Sequence, residues 1–195
     1  MSGVGGAHPP SSTSSAWGKP YIPLSGPSPL SSAPISGAHL ADTLNTKHIA
    51  NEIGPASGLK CCFASLSKGF TALCIQSFTT ANNLGVLEEL KGQLGERMPG
   101  MLKAGSGGVT GMPPKAYRWV REMEEIGITH AEEGGFEGGR EGEGVFGEIA
   151  KVYRSVAEET VLGEEKTESR KRGLTIDDVA SAIGEGLREK RKKME

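Results

Sequence analysis

One run of residues constrains the fold more than any other. From residue 57 onward, Leu59, Cys62, Phe63, Leu66, Phe70, Leu73, Cys74, Phe78, Ala81 and Leu84 recur at spacings of three and four. An α-helix gathers such positions into one stripe. The stripe lasts nearly eight turns, about 3.6 residues each. It predicts a single long helix with Ser57 as N-cap and Gly85 just past its end. A face of that length needs partner helices. It exceeds what a small bundle with glycine-broken partners can cover, which predicts a homodimer.

The partners follow in order. Leu87, Leu90, Leu94, Met98 and Met101 form a weaker helix, broken by Gly92, Gly95 and Pro99. Pro113-Pro114 opens a helix carrying Ala116, Trp119, Val120, Met123, Ile126 and His130. Val145, Phe146, Ile149, Val152, Tyr153 and Val156 mark the next. Thr175, followed by two acids, reads as the N-cap of a last helix bearing Ile176, Val179, Ala180, Ile183 and Leu187. Three stretches between them, Gly105–Gly111, Gly134–Gly144 and Gly163–Gly173, read as flexible surface loops.

Ahead of the long helix, residues 1–38 are mostly Ser, Pro, Gly and Ala. Pro20–Ser25 has the pattern of an edge strand, because its prolines remove ladder donors. Ile35, Leu40 and Leu44 suggest a short helix, and His48–Ile53 a brief strand closed by Gly54-Pro55. Residues 1–45 are expected to be poorly ordered by themselves. The fold class is mainly α, a helical bundle preceded by a small arm. The unusual glycine and proline content (29 and 11 of 195 residues) is then an average over a bundle of ordinary apolar density, an arm and three loops.

Several function classes drop out. A net charge of −2 leaves no basic footprint for nucleic acid. No unbroken apolar run approaches 18 residues, which argues against a membrane span. No basic-then-apolar leader opens the sequence, so a cytoplasmic protein is expected. Cys61, Cys62 and Cys74 are too few and too clustered for a disulfide framework, in keeping with a reducing compartment. His8, His39, His48 and His130 lack metal-ligand spacing, and Glu122–Glu125 and Glu141–Glu143 read as solvated faces, so no metal is expected. Gly3–His8 lacks the third glycine of a dinucleotide fingerprint, and Gly105–Gly111 has no strand before it and no Lys-Ser or Lys-Thr after. The basic run Arg188–Lys193 closes the last helix, with 191–195 as a solvated tail.

The long helix carries the chemistry. At about 100° per residue, Ser67, Lys68 and Thr71 follow Lys60 in a polar strip beside the apolar one. A lysine near a helix N-terminus opposes the macrodipole, and partial burial would lower its pKa toward that of a general base. On chemistry alone, the plainer reading of Lys60 and Lys68 is as ordinary surface lysines.

A resemblance adds to this. Ala56-Ser57-Gly58-Leu59-Lys60 and Ser67-Lys68-Gly69-Phe70-Thr71-Ala72-Leu73 resemble the opening of the helical domain in the β-hydroxyacid dehydrogenase superfamily, which includes 6-phosphogluconate dehydrogenase. They are most similar to a subgroup with a phosphogluconate-dehydrogenase-type C-terminal domain. Pro113–Ile126 and Phe146–Ala157 resemble the same subgroup, so the likeness spans about residues 54–187. Upstream it is weaker. Ser2–Ala7 looks like the family's substrate loop, and Tyr21–Pro27 like a late strand of its Rossmann domain.

The resemblance implies residues 1–53 as the end of a Rossmann domain, 54–190 as a helical substrate and dimerisation domain, and a basic tail. It implies an N-terminally truncated NAD(P)-dependent oxidoreductase acting on a small hydroxy acid. Lys60 would handle the hydroxyl proton, with Gly5, Gly6, Ser57, Ser67 and Lys68 on the substrate side. NAD or NADP serves the complete family member, and none is expected on this chain alone. Ala64 stands where superfamily members often carry a substrate-contacting Asn, a departure that bears on substrate class. The alternative is a non-catalytic helical dimerisation module.

Overall fold

The apolar periodicities from residue 59 onward become helices in the computed structural model, which describes residues 20–137 and 143–195. Among these residues the order is β1 (Ile22–Ser25), α1 (Gly37–Thr43), β2 (Thr46–Ala50), α2 (Pro55–Leu84), α3 (Leu87–Arg97), α4 (Pro99–Gly111), α5 (Ala116–Gly134), α6 (Gly144–Glu159) and α7 (Ile176–Met194). The fold is mainly α, with a small sheet first in sequence, as expected. Two compact units emerge, Met1–Phe63 and Ala64–Glu195, and the boundary falls inside α2.

In the first unit, β1 and β2 pair in parallel, with Ile22 opposite Thr46 and Leu24 opposite His48. Parallel strands need a crossover, and α1 supplies it. The ladder skips Ile49 where Ser25 aligns with Ala50. Ile35, expected on the helix face, lies before α1 with φ 70°, fully exposed. Leu40 and Leu44 are exposed as well. The start of α2 also differs from expectation. Pro55 is its first residue, a position where the missing N–H costs nothing. Ser57 therefore lies inside the first turn and is exposed, not an N-cap. The capping oxygen comes from Ser25 instead, whose Oγ accepts from the Ala56 amide at 3.0 Å.

In the second unit, α5 and α6 form the most extensive helix pair. Met112, Met123, Tyr153, Val156, Leu162 and Val179 fill the core and are almost wholly buried. The core face of α2 is centred on Ala72, Ile75 and Phe78, with Thr71, Cys74 and Thr79 beside them. Of the predicted stripe, only Cys74, Phe78 and Ala81 are buried. Leu66 (77% exposed), Leu73 (58%) and Leu84 (71%) face solvent, as do Leu59 and Phe63 in the first unit. By length and composition alone, α2 is also long and apolar enough to cross a membrane; 28% of its most apolar 18-residue window is buried within the protein. Counting unbroken apolar runs misses this because Ser, Thr and Gly interrupt the segment.

The expected Gly105–Gly111 loop is the second half of α4. Contact with α2 overrides glycine's weak helix propensity. A Cβ on Gly105 would lie 2.9 Å from Cys74 Sγ, and one on Gly108 would collide with Thr71 Oγ1. Residues 163–173 are likewise no free loop. After a 3-10 turn at Val161–Glu164, Arg170 donates to the carbonyls of Thr110 (2.6 Å) and Gly173, while Glu165 accepts from the Lys171 amide at 2.7 Å. Gly135 (φ 72°) ends α5 in the left-handed conformation. Most of the third expected loop, 138–142, lies outside the described residues. Thr175 caps α7 as predicted, its Oγ1 accepting from the Asp178 amide at 3.1 Å. That helix continues through Met194, with the basic run in its last turns and residues 191–195 exposed.

Candidate functional site around Lys68

Lys68 occupies a polar position of α2 one helical step from the core face. Its chain is half-buried, with 16% of the side chain exposed. The ammonium is held from two sides, both supplied by α5. The Glu122 carboxylate accepts from Nζ through Oε2, and the Trp119 ring lies beneath Nζ at 5.2 Å from its centroid. A cation on an indole face gains about 0.5–2 kcal/mol, more as water is excluded. Trp119 and Glu122 are three residues apart, so one helical face presents both.

The backbone is fixed too. Tyr153 of α6 is fully buried and donates its hydroxyl to the Lys68 carbonyl at 2.5 Å. Its ring meets Trp119 edge-on, 5.1 Å between centroids and 87° between planes. Burial, with a smaller contribution from Cys74, pushes the Tyr153 phenol far above its ordinary value, so it remains a donor. Three helices thus meet at Lys68.

Positive charge gathers on the N-terminal side of α5. Arg118 Nε lies 3.9 Å from Glu122 Oε1, so two cations bracket one carboxylate. Lys115, a turn earlier, has its ammonium pKa held low, first by burial and then by Arg118 and Arg170. Arg170 reaches this region through Thr110 and Gly173, and Gly173 abuts Pro113. The neighbouring acids are engaged elsewhere: Glu124 with Arg154 at 3.0 Å and Glu125 with Arg121 at 3.0 Å. The run Glu122–Glu125 is therefore not uniformly a solvated face, because Glu122 turns inward.

The expected site residues are placed as follows. Ser67 is exposed, and its carbonyl accepts from the buried Thr71 hydroxyl at 2.9 Å. Ser67 and Lys68 are thereby adjacent, with Thr71 one turn on. Ser57 and Lys60 belong to the first unit, and both are exposed. Gly5 and Gly6 lie outside the described residues. Sequence reasoning missed Glu122, Trp119, Arg118 and Tyr153 as site residues. The available signal was the Arg118, Trp119, Glu122 spacing, which places a cation, an aromatic and an acid on one helical face. A cavity of about 460 Å³ between the end of α6 and α7, lined by Glu158, Glu159, Glu185 and Lys190 among others, contains none of the expected site residues.

Residues 81–156 match the family described as a domain of unknown function, DUF1932. Among solved structures, the fold is similar to that of a conserved hypothetical protein from Sinorhizobium meliloti 1021, with a TM-score of 0.60 at 20% sequence identity, over 87% of this chain and 52% of that one. At that identity the likeness is one of fold. This chain spans about half the length of that protein. No curated protein matches the sequence.

Proposed function

We propose that this chain carries the helical, substrate-side domain of an NAD(P)-dependent oxidoreductase of the 6-phosphogluconate and 3-hydroxyacid dehydrogenase type, acting in the cytoplasm on a small hydroxy acid. The observation that carries the reading is the ordered set of motifs along α2, α5 and α6, from Lys60 to Arg154, overlapping the DUF1932 match. In this reading Lys60 accepts the proton of the substrate hydroxyl, and Ser57, Ser67 and Lys68 contact the substrate, with Gly5 and Gly6 in its loop. An exposed lysine near the first turn of a long helix is accessible to such a ligand.

The residues described do not fit a dinucleotide. The turn from β2 into α2 is Asn51-Glu52-Ile53-Gly54, with a single glycine where a phosphate-cradling turn needs a Gly-x-Gly-x-x-Gly run. No step is therefore assigned to a cofactor on these residues. The test is turnover of the Lys60→Met equivalent in a homologue that contains the dinucleotide-binding half. General acid–base assistance contributes about 10²–10⁴-fold, so a loss of that size is expected. Near-parent rates would sink the assignment.

A second reading is favoured by the solvent-facing leucines of α2. In it, the chain is a helical dimerisation module, with Leu66 and Leu73 meeting a second copy. The two readings are compatible, because a homodimer can be part of the oxidoreductase.

A further inference from the structure

We propose that Ser25 is a positioning residue for Lys60: from the end of β1 it fixes the first turn of α2, and with it the direction from which the lysine meets the substrate hydroxyl. This role rests on the reading of Lys60 as the proton acceptor and names the residue that holds that lysine in place.

Neither burial nor local sequence fixes the turn from β2 into α2. Asn51, Glu52, Ile53, Gly54 and Pro55 are all exposed, and so are Ser57, Leu59 and Lys60 beyond them. Gly54 precedes the helix with φ 125° and has no side chain to cap with. Pro55 has no N–H, and Gly58 is a weak helix former. The restraint comes from two neighbouring residues of the other strand, one at each end of the turn. The Gly26 amide donates to the Ala50 carbonyl at 3.0 Å, where the chain leaves β2. Ser25 Oγ accepts from the Ala56 amide at 3.0 Å, where the chain enters α2. Ser25 is level with Ala50 because the ladder slips past Ile49. Such slips re-aim side chains and recur beside active sites. From β2, His48 Nε2 donates to the Gly26 carbonyl at 2.8 Å and secures the clamp. Lys60 follows Ala56 by four residues, so the capped amide and the lysine share one face of the helix. Both stand at the carboxyl ends of parallel strands, where open α/β sheets take their ligands. A frayed first turn would let Lys60 swing, and misplacing a catalytic group by about 1 Å lowers a rate by up to about 100-fold.

The test has two arms. In the full chain, amide hydrogen exchange is read residue by residue by NMR. Ser25→Ala should quicken exchange at Gly58, Leu59 and Lys60 by about fivefold or more and leave residues 66–84 unchanged. Ser25→Thr should keep the parent rates, because threonine offers the same capping oxygen. The second arm is steady-state turnover in a homologue that contains the dinucleotide-binding half and the same serine. There the Ser25→Ala equivalent should lower kcat by about tenfold or more, with KM within about twofold, and the Ser25→Thr equivalent should restore kcat. A purely structural role would lower the yield of folded enzyme and leave kcat per folded enzyme intact. Unchanged exchange at residues 58–60 in Ser25→Ala overturns the proposal, and so does faster exchange with kcat intact. The Lys60→Met equivalent tells the two failures apart. If it loses turnover and Ser25→Ala does not, the positioning role alone is overturned. If it keeps turnover, the catalytic reading is overturned and the positioning role with it.

Discussion

At the scale of single residues, position along one helix was legible and partnership across helices was not. Lys68 stands out in the sequence as one of only two charges, with Lys60, in a 30-residue helix. Glu122 does not, because three acids in four residues look like a solvated face until a lysine 54 positions away is brought against one of them. Tyr153 was legible only as an apolar position. Its hydroxyl needed a partner once buried, and the Lys68 carbonyl provides it. Tyr153→Phe should therefore cost about 1 kcal/mol in urea unfolding, the typical net value of one such bond. An unchanged midpoint would mean that the hydroxyl contributes nothing to the joint between α2 and α6. The Lys60 environment could not be read at all, since exposure depends on what surrounds the first turn of α2, and the sequence does not specify that.

At the scale of elements, the type and order of the later helices followed from periodicity, and the errors cluster where glycine is used for packing. Gly105 and Gly108 look like loop formers locally. They are small because Cys74 and Thr71 of α2 press against them. Gly107, between them, faces open space. The two kinds of glycine make opposite predictions. Gly107→Ala should stabilise the protein by up to about 1 kcal/mol through helix propensity. Gly108→Ala should destabilise it by about 1–3 kcal/mol through overpacking. Thermal melts of the pair would decide, and a stabilised Gly108→Ala would refute the close approach.

The start of α7 was legible from Thr175 and its two acids, and it gives a pH prediction. Lys91 holds the Asp177 carboxyl below its ordinary value. For Asp178, burial acts in the opposite direction, but Arg172 and the Gly173 amide outweigh it and the net shift is also downward. A depressed carboxyl pKa contributes stability that is complete above the unfolded value, near 4, and is lost as pH falls through the folded value. Asp178→Asn should be less stable than the parent by about 1 kcal/mol at pH 7. That gap should close as the pH drops below about 4. A constant gap between pH 7 and pH 3 would contradict the ion pair with Arg172.

At the scale of the whole molecule, the mainly α fold was legible, whereas the division inside α2 was not, because nothing in a continuous 30-residue helix marks it. The stripe was read as a core face, yet it is a core face only in part. The sequence pattern counts apolar positions without saying which side has a neighbour. Leu66 and Leu73, two turns apart on the solvent side, remain to be covered. If a second copy covers them, multi-angle light scattering should report twice the chain mass, and Leu66→Glu with Leu73→Glu should give monomer. A parent that stays monomeric at high concentration would end that reading. Finally, the Arg170 clasp has a consequence for proteolysis. The segment between α6 and α7 carries Lys166, Arg170, Lys171 and Arg172, and reads as an inviting trypsin target. With Arg170 bound to the Thr110 carbonyl of α4 and to the Gly173 carbonyl further along the segment, and Arg172 held by Asp178, the backbone there resists extending into a protease cleft. Trypsin should nick first at the exposed Lys166, leaving the distal half protected until α7 itself comes loose.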